Sequence, residues 1–140
     1  MNKLSIGKGF KEFQIGEDEN AVIRVNTTDL QILARFNKVE PEFDKILSEC
    51  QKIDDQTSVD ETIETLTKCD SEVRKNIDYI FNSKISDTVF GDTNCVSFVG
   101  GQPMFMNFLD AIMAEIEKDI NSEVKLSEKK IGKYTSQVKK

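Results

Sequence analysis

Hydrophobic residues recur along this chain at two spacings. Near the N-terminus Phe13 and Ile15 alternate with Glu12 and Gln14, and Ile23 and Val25 flank Arg24. Between these runs lies Gly16-Glu17-Asp18-Glu19-Asn20. Period-two alternation around a Gly/Asp/Asn loop predicts a β-hairpin over residues 10–26. An isolated hairpin is marginal in water, so one face must lie on helices or on another chain.

The period then lengthens to three and four. Leu33, Phe36, Val39, Phe43, Ile46 or Leu47, Cys50 and Ile53 mark one helical face. Thr28 and Gln31 have capping-box spacing at its start. Pro41 interrupts the pattern, removing a donor and crowding the preceding turn. This predicts a kink near Val39-Glu40, or a second helix opened by Pro41. After the polar link 54–57, Ser58 and Glu61 form another capping box. Ile63, Leu66, Val73, Ile77, Ile80 and Phe81 follow as a second buried stripe. The short link predicts antiparallel packing of the two helices.

Residues 82–102 are turn-rich, with Phe90-Gly91-Asp92-Thr93-Asn94 and Gly100-Gly101 around Val96, Phe98 and Val99. They read as an ordered loop with a helical turn near Ser86 to Val89. Pro103 suits the first turn of the next helix. Its stripe is Met104 or Phe105, then Phe108, Leu109, Ile112, Met113, Ile116 and Ile120. From Asn121 apolar density falls, and Val124, Ile131 and Tyr134 are only an echo, interrupted by Gly132. The expected fold is α+β and predominantly α-helical. An N-terminal hairpin packs on a three- to four-helix bundle, and a flexible basic C-terminal tail follows. The expected globular domain covers 1–123, with helices over 28–120, and the lysine-rich extension covers 124–140.

Charge sharpens this picture. The 140 residues carry a net −6, unevenly placed. From Glu40 to Glu72 eleven acids face three lysines, a net −8, while Val124 to Lys140 holds six lysines and one acid, a net +5. An acidic middle argues against a nucleic-acid-binding body. No run nears the roughly 20 apolar residues of a membrane span. The N-terminus shows no stretch resembling a signal peptide. Three cysteines, Cys50, Cys69 and Cys95, have no metal-ligand spacing, and free thiols suit a reducing cytoplasm.

Candidate chemistry is sparse. Histidine is absent, which removes the commonest general base and metal ligand. Cys95 lies in a glycine-bounded loop, but a nucleophilic thiol needs a partner that stabilises the thiolate. Only Lys84 is a nearby base in sequence, so Cys95 reads as structural. Asp54-Asp55 and Asp87 with Asp92 lack the ligand alternation of a calcium loop. Gly100-Gly101 lacks the Lys-Ser/Thr pattern of a nucleotide loop. The expectation is a non-enzyme with no cofactor and no metal. Met104-Phe105-Met106 with Phe108 reads first as core. Met106 lies off the stripe, however, and a surface Met/Phe patch suits adaptable protein binding.

Several stretches together resemble a known family. These are Lys11-Glu12-Phe13-Gln14-Ile15-Gly16 with Ile23-Arg24-Val25-Asn26, then Val89-Phe90-Gly91-Asp92-Thr93-Asn94, and Gly101-Gln102-Pro103-Met104-Phe105-Met106-Asn107-Phe108-Leu109 with Lys133-Tyr134-Thr135. The chain resembles the tail assembly chaperones of long-tailed bacteriophages and prophages of Gram-positive bacteria. The resemblance covers nearly the whole chain. It implies a non-catalytic role in the host cytoplasm: coating the tape measure protein, helping to recruit tail tube subunits, and leaving before the virion is complete. It also implies a longer frameshifted product, with which the ending Val138-Lys139-Lys140 is compatible. Self-association is expected, with no nucleic-acid or membrane partner. The expected contact residues are Phe105, Met106 and Phe108, with Phe13 and Ile23 on the hairpin. The competing readings are a structural tail component and a small acidic regulator binding one host protein.

Overall fold

The computed structural model describes the backbone of residues 1–138 and the side chains of residues 1–130. The elements run β1 (Phe10–Gln14), β2 (Val22–Asn26), α1 (Leu30–Gln51), α2 (Val59–Phe81), α3 (Ser86–Phe90), β3 (Phe98–Val99), β4 (Gln102–Pro103) and α4 (Met104–Val138). This is the expected α+β arrangement, a two-stranded hairpin on four helices.

The hairpin pairs antiparallel, with Phe13 opposite Ile23 and Lys11 opposite Val25. Its turn closes where Ala21 N–H donates to the Asp18 carbonyl and Asn20 N–H to Asp18 Oδ1, the local bonding that favours Asp in turns. Alternation sends Lys11, Phe13, Ile23 and Val25 to one face. Ile23 and Val25 are buried in the core. Asp119 on α4 is buried and needs a partner, which the half-exposed Lys11 on that face supplies. Its Nζ lies 2.9 Å from Oδ1 and 2.8 Å from Oδ2 of Asp119 on α4. The hydrogen bond raises the pKa of Lys11 and, with the Thr27 hydroxyl, lowers that of Asp119.

Helices α1 and α2 are antiparallel. Arg35 Nε donates to the Ile80 carbonyl at 2.7 Å, and the Cys69 thiol faces the Ile46 carbonyl. Ser58 caps α2 by accepting from Glu61 N–H, as its spacing predicted. At α1 the expectation is corrected. Asp29 is the cap, accepting from Gln31 N–H, while the Thr28 hydroxyl turns back to Asn26. Pro41 lies inside a single α1 that runs unbroken from Leu30 to Gln51, so it does not open a second helix. Asn37 and Pro41 are exposed, so the Asn37 carbonyl that Pro41 cannot satisfy faces water.

Two stripe positions are also corrected. Ile32, not Leu33, is buried on α1, in line with Phe36, Val39, Phe43 and Ile46 at helical spacing. Ile63 is 59% exposed, because the first turns of α2 run past the core. On α4 the buried stripe is Phe105, Leu109, Ile112 and Ile116. The sequence pattern fades at Asn121, yet the α4 backbone continues through Gly132 to Val138, with residues 121–130 all exposed. The side chains of Ile131 and Tyr134, and all of Lys139 and Lys140, lie outside the described residues.

Phe105 is fully buried, its ring 5.3 Å from that of Phe43. Truncating such a residue leaves a cavity. Phe105→Ala is expected to lower unfolding free energy by about 3–5 kcal/mol in urea titrations. A residue serving only as an external contact would shift it by no more than about 0.5 kcal/mol.

Candidate partner-binding surface

The surface is built outward from one arginine. Arg74 and Asp70 sit one turn apart on α2, where i,i+4 residues face each other. Arg74 Nε lies 3.1 Å from both Asp70 oxygens. Its Nη1 donates to Asp87 at 2.9 Å, and its Nη2 donates to the carbonyls of Gly91 and Thr93 at 2.9 and 2.8 Å. The guanidinium also lies over the Phe90 ring, 5.6 Å from its centroid. One side chain thus holds the whole Phe90-to-Asn94 loop.

Asp70 extends the network by accepting from Cys95 N–H at 2.8 Å. Asn94 secures the other side, donating to the Leu66 carbonyl and accepting from Val96 N–H. Burial opposes ionisation of Asp70, but the Cys95 and Arg74 hydrogen bonds outweigh it and hold its carboxyl below the usual value. The Cys95 thiol is fully buried, and burial together with the neighbouring Asp70 pushes its pKa up. A nucleophile needs the opposite shift. Burial likewise pushes the Cys69 thiol up to about 12.

The secured loop then starts α4. A helix leaves its first N–H groups without internal partners. Here Met104 N–H donates to the Ser97 carbonyl and Phe105 N–H to the Cys95 carbonyl. Strands β3 and β4 pair as a small hairpin, Val99 opposite Gln102. Gly100 and Gly101 make its tip at φ 68° and 92°, a left-handed conformation that glycine adopts without a Cβ penalty. Asn107 donates to the Val99 carbonyl, and Gln102 donates to Asn107 and Asp110.

This held tip presents Phe98 and Val99, 70% and 51% exposed. The Asn94–Leu66 bond places the loop beside α2, one turn from Ile63 and two from Val59, both exposed. Asp60, Glu61 and Glu64 flank those two residues.

The expected contact residues fall differently. Phe105 and Ile23 are buried and offer no surface, which corrects their assignment as contacts. Phe108 is half-buried in an edge-on aromatic cluster with Phe81 and Phe90. Met106 and Phe13 are also half-buried. The aromatic chemistry lies next door, at Phe98. Its signal was Phe98-Val99 directly before Gly100-Gly101, since apolar residues at a tight turn tip have little that can cover them. Lys11, Asp70 and Asp119 were also missed. Each is a charge at an apolar-stripe position, a pattern that demands a buried partner.

Among the described residues, no group of three acidic or cysteine side chains is placed to hold a metal ion, and no helix is long and apolar enough to cross a membrane. No family model matches the chain, and no curated protein or solved structure matches it.

Arg74→Met is expected to lower stability by about 2–3 kcal/mol, because it strips a charged partner from Asp70 and two loop carbonyls of their donor. Asp70 has a depressed pKa when folded, so its contribution is present at neutral pH and is lost as pH falls below about 4. The urea midpoint of wild type is therefore expected to fall more steeply between about pH 5 and 2 than that of Asp70→Asn.

Proposed function

We propose that this protein is a non-catalytic tail assembly chaperone of a long-tailed phage. It binds the tape measure protein in the bacterial cytoplasm, keeps it soluble and helps recruit tail tube subunits. The observation that carries this reading is the exposed Phe98-Val99 pair, held by the Asn107 bond to the Val99 carbonyl on a loop that Arg74 fixes at Gly91 and Thr93. A holdase needs a small apolar contact that stays exposed without collapsing into its own core. Fixing the loop limits the ordering cost of binding. The surrounding acids keep a loaded complex soluble. The resemblance carried by Phe90-Gly91-Asp92-Thr93-Asn94 and Gly101-Gln102-Pro103 names the client, a long helical protein that is poorly soluble before its tube forms.

Co-expression with the tape measure protein encoded alongside tests this. The client is expected to become soluble and to co-purify. Combined Phe98→Asp and Val99→Asp substitution should reduce capture at least about tenfold, a loss of roughly 1.4 kcal/mol, with an unchanged urea midpoint. A client that remains insoluble and unbound would overturn the reading. Stoichiometric presence of this chain in purified virions would instead make it a structural tail component.

A further inference from the structure

The chain is acidic, but its cations are not evenly spread. Residues 1–11 hold three lysines and no acid. Strand alternation turns Phe10, Glu12, Arg24 and Asn26 to the outer face of the β1–β2 hairpin, away from Ile23 and Val25. Phe10 is 43% exposed there. The Arg24 guanidinium lies over its ring, 4.2 Å from the centroid.

Two hollows meet at this pair. One, of about 290 Å³, lies between the hairpin, the start of α1 and the end of α2, and Asn26, Arg35, Asn82 and Ser83 line it beside Phe10 and Arg24. The other, of about 430 Å³, is lined by Ile6, Lys8 and Gly9 with the same Phe10 and Arg24. The two share one exposed aromatic ring and one guanidinium, and each adds a cation of its own.

These cations are held in place without being neutralised. Arg35 Nε donates to the Ile80 carbonyl at 2.7 Å, which fixes the guanidinium between α1 and the last turn of α2. Its Nη2 lies 3.8 Å from Asp29, too far for a hydrogen bond, and Asp29 already accepts from Gln31 N–H. Glu12 stands opposite Arg24 on the hairpin, but Arg24 leans over Phe10 and makes no ion pair with it. Among the described residues neither Lys8 nor Arg24 has a hydrogen-bond acceptor. Asp29 is the single acid that lines either hollow.

Complementarity selects the class of partner. A guanidinium fixed through one nitrogen still offers its terminal donors to a carboxylate. A lone phosphate would leave Phe10 and Ile6 uncovered, and a long polyphosphate would meet the acidic remainder of a chain of net −6. We propose that this face binds an acidic segment of another protein. Carboxylates of that segment pair with Arg35 at one end and Lys8 at the other, and an apolar side chain between them covers Phe10. Arg24 serves both hollows. The site shares no residue with the Phe98-Val99 tip, and it stands whether or not the protein is a chaperone.

Titrating the full chain at about 0.05 M salt with the acetylated, amidated peptide Gly-Glu-Glu-Leu-Glu-Glu-Gly tests this by calorimetry and NMR. Binding is expected, and it should be lost at about 1 M salt, where the screening length is about 3 Å. The backbone amide signals of Gly9 and Asn26 should shift, while those of Gly100 and Gly101 should not. Replacing the four peptide glutamates by glutamine should weaken binding at least about tenfold, and so should Lys8→Gln with Arg24→Gln in the protein. Both of those side chains are exposed, so circular dichroism should be unchanged. Lys125→Gln with Lys129→Gln removes the same charge from α4, and binding should stay within about twofold. Failure of the acidic peptide to bind would overturn the proposal. Equal losses in the two double variants would also sink it, because net charge alone would then explain binding. So would ATP or a single-stranded oligonucleotide that displaces the peptide and binds more tightly, which would make this a phosphate site.

Discussion

Arg74 is the side chain on which the second half of the structure depends. A guanidinium presents five donors in a fixed plane, so a single residue can satisfy several acceptors that lie in different directions. Here those acceptors are a carboxylate on its own helix, a second carboxylate on α3, and two carbonyls of an irregular loop. A loop has no repeating ladder to satisfy its backbone groups. Arg74 and Asp70 supply the missing partners, and the Cys95 N–H bond to Asp70 passes the constraint on to the start of α4. Position follows from there. The Cys95 and Ser97 carbonyls cap α4, and the capped helix sets its Phe105-to-Ile116 stripe against α1 and α2.

A second ion pair completes the other end. Lys11 lies half-exposed on β1, opposite Val25, beside a buried carboxylate that would be costly alone. Asp119 on α4 meets it at 2.8 Å. The pair specifies where the hairpin sits along α4, because a shift of one residue in strand register would send Lys11 to solvent and strand Asp119. The two networks act at opposite ends of α4, one at its first turn and one near the last of its buried residues.

The resulting molecule is polar along its length. One pole gathers the acids of α1 and α2 with the glycine-tipped apolar hairpin, while the other extends a basic helix past the core. Such a shape supports the contact role proposed above. Its exposed apolar residues lie in the N-terminal segment, on the hairpin strands, at the Phe98-Val99 turn and along the helices, with acids and lysines among them. That limits non-specific association while leaving specific anchors exposed.

Much of this architecture is legible in the chain itself. The hairpin over 10–26, the Ser58 cap, the turn at Gly100-Gly101 and the start of α4 after Pro103 all follow from backbone geometry and local hydrogen bonding. These act within a few residues and need no partner. Burial is different. Ile63 continues the stripe of α2, and it is exposed because the core stops short of it. Phe105 and Phe98 are alike in sequence as aromatic residues near glycines, yet one is enclosed by Phe43 and the other stands in water. Periodicity states which residues share a face. Which face is covered, and which charge finds its partner 108 positions away as Lys11 finds Asp119, depends on elements brought together across the fold, and only the tertiary structure decides it.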